Sequence, residues 1–411
     1  MILSVLLLLL LCTSGCRDRY NVDELAIVIG VGIDRVAGAE PILLTVQVVN
    51  AGMIKSPGGE GGGGGGEGKP FITLSSQGKS FLDAVRNLAK SSPRKLFFSH
   101  NKVIVLGKTF AESDISEVMD YVQRDREFRR TNLILMAEQT AKEVLVAKMD
   151  IERLPALGLQ LWLNSKDQTF IYPINLNDFL LNLKNDVGVS YAPLVSLKDT
   201  DQESKSKLEE ITGKPMESSD KKHHPQVYLQ EMAVFKNNHL VGTLNENESK
   251  DLLWLTNKLK GDTITVHYQT TEGEGQAALA IVNGSSKIIP HITDRGISIE
   301  IVCTGEAVLS EISSISDQLK DLQIYTEIKQ NAEKILKTRL EHTIDKAQKE
   351  LKVDFLGFGN KIHNYNPTEW HAIKNEWDQR FPEVQYNVTV QLTIRQAGII
   401  RGSAIAKENG E

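Results

Sequence analysis

The sequence predicts an α+β protein of three mixed α/β domains, the last with an antiparallel meander and a long helix. Three observations carry that class. Apolar runs rich in β-branched residues alternate with segments of helical three-and-four spacing through residues 25–165. After residue 261, strand-like runs crowd together between glycines. A single stripe then continues through Ile328, Ala332, Ile335, Leu336, Leu340, Ile344, Ala347 and Leu351. With 411 residues, 41% apolar and 24% charged, the chain is long enough for two or three globular cores and is not compositionally disordered.

The N-terminal domain spans residues 25–165. Residues 25–33 and 41–50 read as strands. Residues 52–70 hold the run GGEGGGGGGEGK, which buries no side chains and reads as a flexible loop. It is not a phosphate loop, because Gly68-Lys69 is followed by Pro70 and no helix opens behind it. A strand over 71–75 precedes a helix over 80–89 with Phe81, Leu82, Val85, Leu88 and Ala89 at helical spacing. Residues 102–106 form a strand. Ser113 or Asp114 is placed to cap a helix striped by Ile115, Val118, Met119 and Val122. A strand over 133–137, a short helix capped by Thr140 and a helix over 154–163 complete the unit.

The middle domain, 166–260, begins with a helix over 176–183 and an alternating strand over 189–197. Residues 199–224 are almost wholly polar and read as a mobile loop. Strands over 227–235 and 239–243 flank the turn Asn237-Asn238, and a helix covers 246–259. The C-terminal domain, 261–411, opens with strand runs 263–268, 276–282, 286–291 and 297–304. Gly273, Gly275, Gly284 and Gly296 punctuate them. The long helix is expected over 316–351, roughly 50 Å. A helix over 368–380 and a strand over 384–394 close the chain.

Ahead of these domains, Cys16 follows an apolar run (residues 2–12) and the small residues Thr13, Ser14 and Gly15. That is the layout of a lipoprotein signal peptide over 1–15, with lipidation at Cys16 and a tether over 16–24. The run is too short to span a bilayer as a helix, and no Lys or Arg precedes it, unlike the usual basic leader. An ordinary cleaved signal, a short anchor or a core helix are the alternatives. Cys12 would leave with the signal, so only Cys303 remains as a thiol in the body, inside an apolar strand pattern. A net charge of −6 argues against a nucleic-acid partner and gives an anionic membrane no general attraction, so the lipid must anchor.

Catalytic and cofactor patterns are missing from the sequence. There is no HExxH, GxSxG or CxxC. His363 and His371 stand eight apart with Pro367 between them, and His223-His224 lie in the polar loop. Arg124, Arg126, Arg129 and Arg130 are interleaved with Asp125 and Glu127, a pattern for local ion pairs or a docking patch. Trp370 and Trp377, seven apart, share one helical face, either as core or as a partner-facing pair.

Four stretches carry a resemblance: DELAIVIGVGID from Asp23 behind Gly15-Cys16; SHNKVIVLGK from Ser99 with VMDYVQRDREFRRTNLILMAE from Val118; AVFKNNHLVGTLNENESKDLLWL from Ala233; and KELKVDFLGFGNKIHNYNPTEWHAIKNEWDQRFPEVQYNVTVQLTIRQAGII from Lys349. In this order they resemble the Ger(x)C family, the lipoprotein C subunits of spore germinant receptors. Arg17-Asp18 stands where members often carry Trp-Asp. The resemblance implies three mixed α/β domains and a non-enzymatic subunit, lipid-anchored at Cys16 on the outer face of the spore inner membrane. It also implies two partners: an A subunit with soluble and membrane parts, and a B subunit like an amino-acid transporter. Candidate contacts with them are Trp370, Trp377, Arg124, Arg129 and Arg130. An extracytoplasmic solute-binding lipoprotein would call for two doubly wound lobes. A cell-wall hydrolase would call for a carboxylate pair or metal triad. The residues assemble neither.

Overall fold

The computed structural model describes residues 20–50, 70–149, 151–165, 171–199, 225–270, 273–293, 296–312 and 322–396. The expected signal peptide, Cys16, nearly all of the glycine-rich loop, residues 200–224 and the expected first turn of the long helix lie outside the described residues.

A nine-stranded sheet runs, edge to edge, through residues 71–78, 42–49, 25–35, 103–106, 133–137, 189–198, 226–236 and 239–244, with 95–97 alongside 25–35. Its centre is β1 (Leu25–Arg35), whose apolar run is buried on both faces, as expected of a strand flanked on both sides. β2 (Ile42–Val49) and β3 (Phe71–Gly78) add antiparallel on one side. β4 (Lys95–Phe97), β5 (Val103–Leu106) and β6 (Leu133–Ala137) run parallel on the other. β7 (Val189–Lys198) continues the sheet, pairing Met136 with Leu194 and Ala137 with Val195. The strands of the first two expected units therefore share one sheet. β8 (Gln226–Lys236) and β9 (His239–Leu244) form the closing hairpin. Its turn residues Asn237 and Asn238 both have positive φ, 48° and 67°, a conformation that asparagine tolerates and tight hairpins require.

Helices cover this sheet: α1 (Phe81–Lys90), α2 (Lys108–Ala111), α3 (Ser116–Arg124), α4 (Ala141–Val146), α5 (Pro155–Asn164), α6 (Leu176–Lys184) and α7 (Glu246–Leu255). Thr140 caps α4, as the sequence predicts, and Ser80, expected as the first residue of its helix, caps α1. α3 starts later than expected, behind Ile115. The Asp114 carboxylate accepts from the Ser116 N–H, while the Ser113 hydroxyl bonds back to Phe110, so neither caps the helix at its N2 or N3 position.

The second sheet is β10-β11-β12-β13: β10 (Asp262–Thr270), β11 (Gly273–Thr293), β12 (Gly296–Ile312) and β13 (Gln385–Gln396). The first three are an antiparallel meander, and β13 returns parallel to β12. Two expected strands, 276–282 and 286–291, are one strand of 21 residues. Gly284 does not turn the chain there. It clears space for Trp254 of α7, because a Cβ at Gly284 would sit 2.9 Å from the indole and one at Gly305 3.1 Å.

The long helix α8 is described over Leu322–Asp345, about 36 Å of rise, followed by a π-helical turn over Lys346–Leu351. Ile328, Ala332, Leu336, Leu340, Ile344 and Ala347 are buried beneath it, whereas Ile335 is 40% exposed and faces out. The expected final helix is broken into α10 (Pro367–Ile373), a 3-10 turn and α11 (Trp377–Arg380). An additional helix, α9 (Phe358–Tyr365), precedes Pro367.

Candidate interaction site

The most deeply bound side chains in the resembling stretches are carboxylates that hold backbone. Asp34, at the end of β1, accepts the N–H groups of Ala141 (2.7 Å) and Lys142 (3.0 Å) at the start of α4. Burial pushes its pKa up and those two donors pull against it. Gly107 is required alongside, since a Cβ there would meet Asp34 Oδ1 at 1.9 Å. Asp354 accepts from the N–H groups of Gly357, Phe358 and Gly359 at 2.7–2.9 Å and from Trp377 Nε1 at 3.0 Å. Complete burial raises this carboxyl too, against four donors that favour its anion. Gly357 takes φ 80°, and a Cβ on Gly359 would strike Trp370 at 2.6 Å and Trp377 at 2.8 Å. The glycines and tryptophans of the most specific motif thus form one packed unit around Asp354.

An ionic junction joins α7, α8 and β10. Arg339 donates to Asp251 (2.7 Å) and to Asp262 (2.7 Å), and Thr343 donates to Asp251 (2.8 Å). Both carboxylate side chains are wholly buried. Desolvation pushes Asp251 up to about 6, while the two carboxylates hold Arg339 firmly charged. Lys250 bridges Glu246 and Asp262, and Lys346 binds Glu248. Beside this junction opens a cleft of about 720 Å³, with Asn245, Glu248, His267, Asn331, Arg339 and His342 on its walls. Its carboxylate, Glu248, is already committed to Lys346 and the Asn245 N–H. These groups bond α7, β10 and α8 to one another. Among the described residues no group of His, Cys, Asp and Glu is placed to hold a metal ion. The Cys303 thiol is buried and pushed up to about 12 by desolvation, which disfavours its thiolate.

The residues singled out by sequence fall into two classes. Trp370 and Trp377 are 0% and 2% exposed, with their rings 5.5 Å apart. They are core, and a partner-facing aromatic pair is not what this surface offers. Trp370 also donates to Asp186 of the middle unit (2.9 Å) and holds that carboxyl below its ordinary range. His363 and His371, expected apart, approach to 5.8 Å because the break at Pro367 folds α10 back on α9. The arginines are on the surface. Arg124 pairs with Asp120, but Arg126, Arg129 and Arg130 form no ion pair among the described residues. The reason is that Asp125 takes the Tyr121 hydroxyl and the Glu127 N–H, while Glu127 takes the Phe98 N–H. Sequence reasoning missed Asn101 and Asn132, neighbours at the entries to β5 and β6. Both are buried, and their side-chain amides have no partner among the described residues. Nothing in the spacing marks them, because each sits in a run of polar residues ahead of an apolar strand.

Two family models match the chain in succession. Residues 18–197 match the spore germination protein N-terminal domain, and residues 230–398 match the C-terminal domain described as spore germination B3/GerAC-like. Relatives in Bacillus subtilis (strain 168) match end to end. Spore germination protein KC is 28% identical over 97% of this chain and 96% of its own length. Spore germination protein B3 is 24% identical over 97% and 98%. The crystal structure of the GerBC protein superposes with a TM-score of 0.55 at 18% identity, covering 89% of this chain and 96% of that one. The buried Asp354–tryptophan unit, the two-sheet fold and the two consecutive family models agree, and the chain belongs to the Ger(x)C family of spore germination proteins.

Proposed function

We propose that this chain is the C subunit of a nutrient germinant receptor. It is anchored by a diacylglyceryl group on Cys16 to the outer leaflet of the spore inner membrane, and it works by binding A and B subunits rather than by catalysis. The observation that carries this reading is the ordered match of nearly the whole chain to spore germination proteins, behind a short apolar run that ends at Gly15-Cys16. The site chemistry supports it: Asp34, Asp251, Asp262 and Asp354 are each engaged with backbone donors or cations in the interior. No helix of the described residues is long and apolar enough to cross a membrane, so in this reading the acyl chains supply the attachment.

The test is Cys16→Ala in spores. The expected result is loss of the protein from the membrane fraction together with loss of nutrient-triggered germination. Full membrane recovery with normal germination would overturn the anchor. Purified protein that hydrolysed peptidoglycan, with one acidic residue essential, would overturn the non-enzymatic reading.

A further inference from the structure

The parallel strands β1, β4, β5 and β6 begin at one end of the large sheet. The chain enters the fold at that end: Lys95 Nζ sits 4.1 Å over the Tyr20 ring, and Lys95 pairs with Leu25. The segment before β6 is bonded to the same end, through Phe98 N–H to Glu127 (2.9 Å) and Leu133 N–H to the Lys102 carbonyl (2.9 Å). The charge at this end is opposite to that of the protein. Segments 91–102 and 124–132 carry seven Arg and Lys; their own acids, Asp125 and Glu127, are occupied locally, Asp120 pairs with Arg124, and Asp178 follows Asn177, whose N–H bonds the Arg130 carbonyl. Asp23 and Glu24 are the acids of the entering segment. At the far end, where the same strands finish, segments 107–116 and 138–143 carry two lysines against four acids. Arg94, Lys95, Arg126, Arg129 and Arg130 are all exposed at the entering end.

We propose that this cationic end is a docking face for anionic lipid headgroups, laid against the bilayer from which the tether emerges. The orientation rests on the lipid-anchored reading of Cys16. Four peptide steps separate Cys16 from Tyr20, at most about 14 Å of extended chain, so a lipid on Cys16 holds this end, and not the acidic one, at the headgroup level. The overall charge of −6 does not oppose the contact, because charges farther from the surface than about 8–10 Å are screened at physiological salt. Each arginine at an anionic surface strengthens binding about fivefold.

The test uses the chain from residue 16 with Cys16→Ser, which keeps every described residue and carries no lipid. It is sedimented with phosphatidylcholine vesicles with and without phosphatidylglycerol, at low and high salt. Binding is expected only with phosphatidylglycerol, and it should be lost as salt rises. Arg126→Gln, Arg129→Gln and Arg130→Gln together should weaken it on the order of a hundredfold. Lys108→Gln, at the far end, should leave it unchanged. Circular dichroism checks that the triple variant is folded, as its exposed side chains require. Equal binding to both vesicles, no binding, or an unaffected triple variant would overturn the proposal. So would an acidic partner protein captured through these arginines without any vesicle binding. Lipid dependence in a protein whose native Cys16 proved unmodified would leave this face standing while the anchor failed, and a lipidated protein without that dependence would do the reverse.

Discussion

Arg339→Ala is expected to destabilise the protein by on the order of 3–5 kcal/mol, because it takes the guanidinium from buried Asp251 and leaves buried Asp262 with Lys250. Asp251 and Asp262 have no exposed side-chain surface. Replacing the three residues together, with Asp251→Asn, Asp262→Asn and Arg339→Met, should recover much of the loss, since the desolvation cost leaves with the charges. The pH dependence has a defined sign. The folded pKa of Asp251, about 6, lies above its ordinary value of 3.8. The stability linked to this group is therefore present in acid and is lost as pH rises through about 6. Without Arg339 the carboxyl rises further, so the gap between variant and parent in urea midpoint should widen from about pH 5 to about pH 8. A gap that narrowed, or an alanine variant as stable as the parent, would show that the junction does not join α7 to α8.

Asp354→Ala should be comparably damaging. It leaves the N–H groups of Gly357, Phe358 and Gly359 and the indole N–H of Trp377 without an acceptor in the interior. At about 1–3 kcal/mol for each buried unsatisfied donor, a loss of at least about 3 kcal/mol is expected. Asp354→Asn keeps acceptor capacity on one oxygen and should lose less. Tryptophan emission reports the site directly, since Trp370 and Trp377 are buried beside it. Emission unchanged in the alanine variant, with an unchanged unfolding midpoint, would contradict the role given to this carboxylate.

The local grammar of the chain was legible. Thr140 and the Asn237-Asn238 turn do in three dimensions what their residue types predict. So does the stripe of α8, apart from Ile335. What the sequence hid was long-range geometry. Gly284 looks like a turn, but it lies inside a strand because an indole 30 residues earlier needs its missing side chain. His363 and His371 look separated, but a break at Pro367 brings them together. The tryptophan pair has the spacing of a contact face, and only the position of Asp354 shows that the pair turns inward. Net charge misled in the same way. A total of −6 conceals a cationic end at which the tether enters, because the acids and bases sort to opposite ends of parallel strands that are far apart in sequence.

The intact mass of the protein extracted from spore membranes tests the lipid anchor most directly. The expected species begins at Cys16 and carries a diacylglyceryl group there. A membrane-retained protein with an unmodified Cys16, or with its N-terminus elsewhere, would contradict the anchor.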